Sequence, residues 1–150
     1  MSKINFSNEL IEKNIMTTYI TKNTDVNSGS IIPFTTSKSV GSKLTFENNG
    51  IKIGVGVSKV KVNFNLSVRY TATTGKVYGA DMLINGTAPG DASGKQLAVR
   101  AHKSIGEPIN SSSGVRIIDV NENDVLTLKV NSGATCPCTP TTFLTVEVVE

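Results

Sequence analysis

Residues 59–70 read KVKVNFNLSVRY. Val60, Val62, Phe64, Leu66, Val68 and Tyr70 take every second position, and Lys61, Asn63, Asn65, Ser67 and Arg69 fill the gaps. A period of two sends the first set to one face of a β-strand and the second set to the other, so one face is buried and the other is polar. A helix would scatter the same apolar residues around its axis. This stretch decides the fold class: the protein is built on β-structure.

On either side of it the chain from Ile31 onward is a series of short strands with turn punctuation. Ile31-Ile32-Pro33-Phe34 reads as an edge segment, because Pro33 cannot donate to a ladder. Leu44-Thr45-Phe46 runs into Asn48-Asn49-Gly50, a tight-turn signal. Residues 51–57 carry Gly54 and Gly56 and should bend or bulge. Thr73-Thr74-Gly75 turns the chain after the long strand. Residues 77–84 form a strand with Ala80, Met82 and Ile84 on one face, closed by Asn85-Gly86. Residues 88–94 read as a polar loop. Leu97, Val99 and Ala101 then alternate with Arg100 and His102, residues 110–114 read as a loop, and residues 115–120 as a strand. Asn121-Glu122-Asn123-Asp124 is a turn before the alternating Leu126, Leu128 and Val130. Residues 132–140 read as a loop holding Cys136 and Cys138, and Leu144, Val146 and Val148 alternate in the last strand. Eight to ten strands with no convincing helix after residue 30 point to a sandwich or barrel.

The N-terminal region differs. Residues 7–15, SNELIEKNI, have Ser7 or Asn8 as an N-cap and acids in the first turn, enough for two turns of helix that need something to pack on. Residues 16–21 fit a helix or an extended segment equally well, and residues 23–30 read as a polar linker. The expected organisation is an N-terminal arm or anchor over 1–28 and a β-domain over 29–150.

The composition bounds the function. The 150 residues suit one domain with a core large enough to stand without staples. The net charge of +3 is modest, Trp is absent and aromatics are 5%, so a base-stacking platform is hard to build and no nucleic-acid partner is expected. No apolar run is long enough to span a membrane, and the first residues, MSKINFSNELIEKN, lack the apolar core of a secretory signal. Synthesis in a bacterial cytoplasm without a signal peptide is expected, with both cysteines reduced.

The order of these motifs resembles the jelly roll shared by tumour necrosis factors and the globular heads of complement component one q. Met82-Leu83-Ile84-Asn85-Gly86 stands where that family has an inner strand ending in an Asn-Gly turn. Ser111-Ser112-Ser113-Gly114-Val115-Arg116-Ile117-Ile118 stands for its small-residue loop and following strand. Asn123-Asp124-Val125-Leu126-Thr127-Leu128-Lys129-Val130 matches its acidic turn and alternating strand, and Thr142-Phe143-Leu144-Thr145-Val146-Glu147-Val148 its aromatic-led last strand. The resemblance covers roughly residues 31–150. It departs at Gly56-Val57-Ser58-Lys59-Val60, where the family often has an aromatic. Gly50-Ile51-Lys52-Ile53 and Val57-Ser58-Lys59-Val60-Lys61-Val62 also look like small virion proteins of tailed phages and prophages of Gram-positive bacteria. The resemblance implies an antiparallel jelly-roll sandwich and a homotrimer of three sandwiches around an axis. The sequence adds a physical footing: Phe143 and Val149 lie on the second face of the last strand, and Ile117 opposes Ile118 and Val120, so apolar residues are left over for a subunit interface.

Chemistry is weakly signalled. Cys136-Pro137-Cys138 with His102, the one histidine, would make a zinc site with one residue between thiols where two to four are usual, so ordinary structural residues are the stronger reading. Asp119-Val120-Asn121-Glu122-Asn123-Asp124 lacks the central Gly of a calcium loop, and a surface ion at Asp91 or Asp124 is outweighed by a solvated turn. His102 has no nucleophile signature near it. Asn65, Asn85 and Asn110 begin glycosylation sequons, which carry no weight without secretion. No enzymatic activity, cofactor or metal is expected. Binding is assigned to polar loops over 87–96 and 103–114, through Asn85, Asp91, Lys95, Lys103 and Asn110. The leading expectation is a non-enzymatic phage or prophage structural or host-attachment protein, located in the virion. Its trimeric head would bind cell-surface carbohydrate and its arm would contact other virion proteins. The alternative is a bacterial carbohydrate- or ligand-binding module outside any virion.

Overall fold

The computed structural model describes residues 13–69, 77–87, 98–102, 109–131 and 135–150. They form twelve strands: β1 (Ile15–Tyr19), β2 (Thr24–Val26), β3 (Thr36–Val40), β4 (Leu44–Glu47), β5 (Gly50–Ile53), β6 (Lys59–Arg69), β7 (Val77–Ile84), β8 (Ala98–His102), β9 (Ile109–Asp119), β10 (Val125–Val130), β11 (Cys136–Cys138) and β12 (Phe143–Val148). There is no helix among the described residues. The strands make two antiparallel sheets. In the five-stranded sheet the order is β4-β5-β10-β7-β8. In the seven-stranded sheet β6 is central: β9 pairs with it from end to end on one side, and on the other its partner changes from β12 to β11. β12 continues into β1 and β3, and β11 into β2.

The alternation of β6 is realised as read. Val60, Val62, Phe64, Leu66 and Val68 are buried and face the five-stranded sheet. Opposite them are Ile51, Ile53, Tyr78, Ala80, Met82, Leu126, Leu128 and Val130, with Leu144 and Val146 of β12 beside them. Burial of this double layer is the dominant stabilising term. Ile31–Phe34 starts along the open side of β10, where Ile31 bridges Lys129 beyond the end of β5, as the edge reading expects. It crosses between the sheets, with Ile32 N–H donating to Leu128 O and Thr35 N–H to Tyr19 O, and with Ile32 and Phe34 buried.

The hairpin turns follow their sequence signals. Asn48 (φ 52°) and Asn49 (φ 62°) both adopt the left-handed conformation, as the two central residues of a type I′ turn require, and Glu47 pairs with Gly50 across it. Asn85 (φ 52°) and Gly86 (φ 79°) do the same beyond β7.

Three sequence expectations are corrected. The β-body begins by Ile15 rather than at residue 29: β1 pairs with both β12 and β3, and β2 with β11. Ile15 and Met16 are therefore extended, and the proposed helix and arm retain only residues 1–12, which lie outside the described residues. Residues 110–114 are not a loop but the first half of β9, laddered against β6 through Val68 to Phe64. Cys136–Cys138 is a buried strand, not part of a loop. The expected turns at 73–75 and 88–94 and the position of Tyr70 lie outside the described residues.

Candidate functional site

The ladder registers fix what the outer face of the seven-stranded sheet carries, because residues paired across antiparallel strands share a face. One row runs Ile117, Lys61, Glu147, Ile15, Val40 from β9 to β3. The next runs Val115, Asn63, Thr145, Thr17, Lys38, and the third Ser113, Asn65, Phe143, Tyr19, Thr36. Aliphatic side chains stand at the two edges, where Ile117, Val115 and Val40 are 61%, 53% and 58% exposed. The cross-strand aromatic pair Tyr19–Phe143 stands at the centre.

Between the second and third rows lies an open depression of about 740 Å³ whose lining includes Tyr19, Phe143, Asn63, Asn65, Thr17 and Lys38. Its walls are tied down locally. Thr17 and Thr145 share a hydroxyl hydrogen bond of 2.7 Å, and the Asn65 Nδ2 donates to Thr141 O at 2.7 Å. Ion pairs on this face are weak: Lys13–Glu147 spans 3.9 Å with both partners well exposed. The depression offers rings, amides, hydroxyls and the Lys38 ammonium, and among the described residues that line it no nucleophile is held by a base. Its chemistry is that of contact.

Of the sequence-assigned binding residues, Asn85 and Asn110 are among the described ones, and Asn85 follows β7 of the other sheet. Asn85 is committed to the neighbouring 121–124 turn and the start of β10: its Oδ1 accepts from Val125 N–H at 2.9 Å and its Nδ2 donates to Asp124 Oδ1 at 2.8 Å. Asn110 lies in β9 opposite Val68. Asp91, Lys95 and Lys103 lie outside the described residues. Asp124 also receives Asn121 N–H on Oδ2 at 2.8 Å, so both its oxygens serve the turn. Sequence reasoning missed Tyr19, assigned to the arm, and the alignment of Asn63 and Asn65 with Phe143. The polar gaps in the β6 alternation were the available signal.

Cys136 and Cys138 sit together inside the sandwich, with sulfurs 3.6 Å apart. The hydrogen bond with Cys138, then burial, then charge repulsion from Cys138 and Asp25 push the Cys136 thiol far above its ordinary range. His102 belongs to β8 in the other sheet. Among the described residues no group of three or more His, Cys, Asp or Glu is placed to hold a metal ion.

No protein-family model matches the chain, and no curated protein matches it. Solved structures do. The chain is similar to Eiger TNF from S. frugiperda, with a TM-score of 0.70 and 9% identity over 93% of this chain and 94% of that one. It is similar to the globular domain of zebrafish complement 1qA protein, with a TM-score of 0.66 and 8% identity over 92% and 98%. It is also similar to murine APRIL, with a TM-score of 0.58 and 12% identity over 92% and 100%. At such identities the likeness is one of fold: the sandwich is a tumour necrosis factor/complement-head-like jelly roll.

Proposed function

We propose that this chain is the non-enzymatic head of a homotrimer, which self-associates through the outer face of its seven-stranded sheet. The observation that carries this reading is the face itself. Tyr19 and Phe143 stand at its centre, and Ile117, Val115 and Val40 stand exposed at its two edges. A sandwich needs one buried face per sheet, and apolar side chains on the second face favour a subunit interface. Three-fold symmetry follows from the jelly-roll resemblance rather than from a contact between copies. The setting we propose is a phage or prophage particle, with residues 1–12 reaching other virion proteins and the surface of the trimer binding host carbohydrate. That setting rests on the resemblance of the β5–β6 region to small virion proteins.

A second reading has its own support. Two rings beside Asn63, Asn65 and Thr17 make a sugar-like contact surface, as suits a monomeric carbohydrate-binding module. The two readings compete for one face, so a single experiment separates them. Light scattering on the full chain and on residues 13–150 should give the mass of three chains in both. A monomer in both, with glycan binding lost on Tyr19→Ala, would replace the trimer by the binding module. Absence of the protein from purified virions would remove the particle setting and leave the trimer standing.

A further inference from the structure

The depression on the outer face of the seven-stranded sheet is graded along its length. The amides of Asn63 and Asn65 stand at its β6 end, the Tyr19–Phe143 ring pair at its centre, and Lys38 at its β3 end. From β6 through β12 and β1 to β3 is three strand spacings, or about 14 Å. That length suits an extended ligand with a flat apolar middle and polar groups at both ends.

The two ends ask for different groups. Asn65 spends its Nδ2 on Thr141 O, which leaves its Oδ1 to accept from a ligand hydroxyl. Lys38 is exposed and has no ion pair among the described residues, whereas Lys13, Lys52 and Lys59 each have an acidic partner. No carboxylate stands among the described residues that line the depression. On the same face, Glu147 is in register with Lys61 and within ion-pair distance of Lys13. The Lys38 ammonium is therefore an uncompensated charge, and one ammonium on a flexible stem matches one carboxylate. Phosphate and sulfate groups are best held by guanidinium forks or helix N-termini, and the described lining has neither. The ring pair at the centre matches the apolar C–H face of a pyranose.

We propose that the depression takes an acidic sugar chain, a uronic-acid disaccharide or longer. One ring packs on Tyr19 and Phe143 with its carboxylate on Lys38, and hydroxyls of the next ring meet Asn63 and Asn65. The assignment rests on the monomeric carbohydrate-binding reading, in which this face is open. It adds the charge of the sugar and the residue that selects it. Lys38 supplies preference more than affinity, because an exposed ion pair is screened by water and salt. The rings and amides hold acidic and neutral sugars alike.

The test is saturation-transfer NMR on the full chain, with its mass followed by light scattering. The probes are disaccharides containing glucuronate, galacturonate or mannuronate, each beside its carboxyl-reduced counterpart. At least one acidic disaccharide should bind, about five- to tenfold more tightly than its neutral counterpart. Lys38→Gln should bring the acidic sugar down to the neutral one's affinity, Lys38→Arg should keep the preference, and Tyr19→Ala should weaken both alike. Lys38 is exposed on an edge strand, so its variants stay folded. Equal binding of acidic and neutral sugars, or a preference that survives Lys38→Gln, would overturn the acidic-sugar site and leave the carbohydrate-binding reading standing. A chain that binds none of the probes, whether it scatters as one chain or as three, would remove that reading and the site with it.

Discussion

Gly114 of β9 faces the Phe64 ring across the β9–β6 ladder, and the ring fills the space a side chain at Gly114 would need. A Cβ there would stand 2.8 Å from Phe64 Cζ and 3.2 Å from Cε1. The contact explains why a Ser-Ser-Ser-Gly run lies in a strand. Small residues let the edge strand close down on large core side chains of its neighbour.

Gly114→Ala is therefore expected to destabilise the fold by about 1–3 kcal/mol, the usual range for overpacking. Phe64→Leu shortens the ring side and should recover part of that loss. Urea denaturation of both single variants and the double variant measures the coupling. Strict additivity would show that the ring moves aside freely and that Gly114 is there for another reason.

Asn85 carries a different prediction, because the left-handed backbone and both ends of its side chain are all in use. Asn85→Ala loses the bonds to Val125 N–H and Asp124 and strains the backbone, at a cost of about 1–3 kcal/mol. Asn85→Gly loses the bonds but accepts the conformation. The melting temperatures should rank Asn above Gly above Ala. Equal melting temperatures for all three would return Asn85 to the list of contact residues free to meet a ligand.

The contrast between β6 and its neighbours shows what the sequence made legible. β6 alternates because its two faces meet opposite environments, and that pattern needs no tertiary knowledge. β1 buries Met16 and Thr18 while half-exposing Ile15 and Tyr19, so its polarity is nearly inverted. Thr18 is tolerated inside because its hydroxyl reaches Leu144 O at 3.3 Å. β11 contains Pro137, normally a strand breaker, and survives as a three-residue strand held between β2 and β6. The outer face was half legible. Ile117 and Phe143 were readable as surplus apolar residues, but the pairing of Phe143 with Tyr19 depends on a ladder between segments more than 100 positions apart.

The proposed interface gives a third prediction. Ile117 is paired with Lys61 across the β9–β6 ladder, so Ile117→Glu gains a cross-strand ion partner in an isolated chain. In a trimer closed over this face, the new carboxylate would be buried. The variant should stay folded, with a melting temperature close to that of the parent chain under dissociating conditions, yet scatter light as a single chain. Thr45→Glu, on the exposed β4 edge, should keep the mass of three. A trimer that survives Ile117→Glu would move the interface to another surface.

Two threonines of similar burial should respond in opposite directions to the same change. Thr142 is fully buried where the partner of β6 changes from β12 to β11, and its hydroxyl bridges that gap. It accepts from Ser67 N–H and donates to Ser67 O, each at 3.0 Å. Thr139 closes the same knot, with its hydroxyl donating to Ser67 Oγ at 2.6 Å. Thr127, on the outer face of the five-stranded sheet, is 7% exposed, and its Oγ1 has no hydrogen-bond partner. Valine has nearly the shape of threonine, so each substitution isolates one hydroxyl. Thr142→Val strands a buried backbone N–H and should cost about 1–3 kcal/mol. Thr127→Val removes an unpartnered polar group from the interior and should be neutral or stabilising by up to about 1 kcal/mol. Chemical denaturation of the two variants under one set of conditions measures the difference. A loss at Thr127 as large as that at Thr142 would mean its hydroxyl has a partner in solution, such as a bound water.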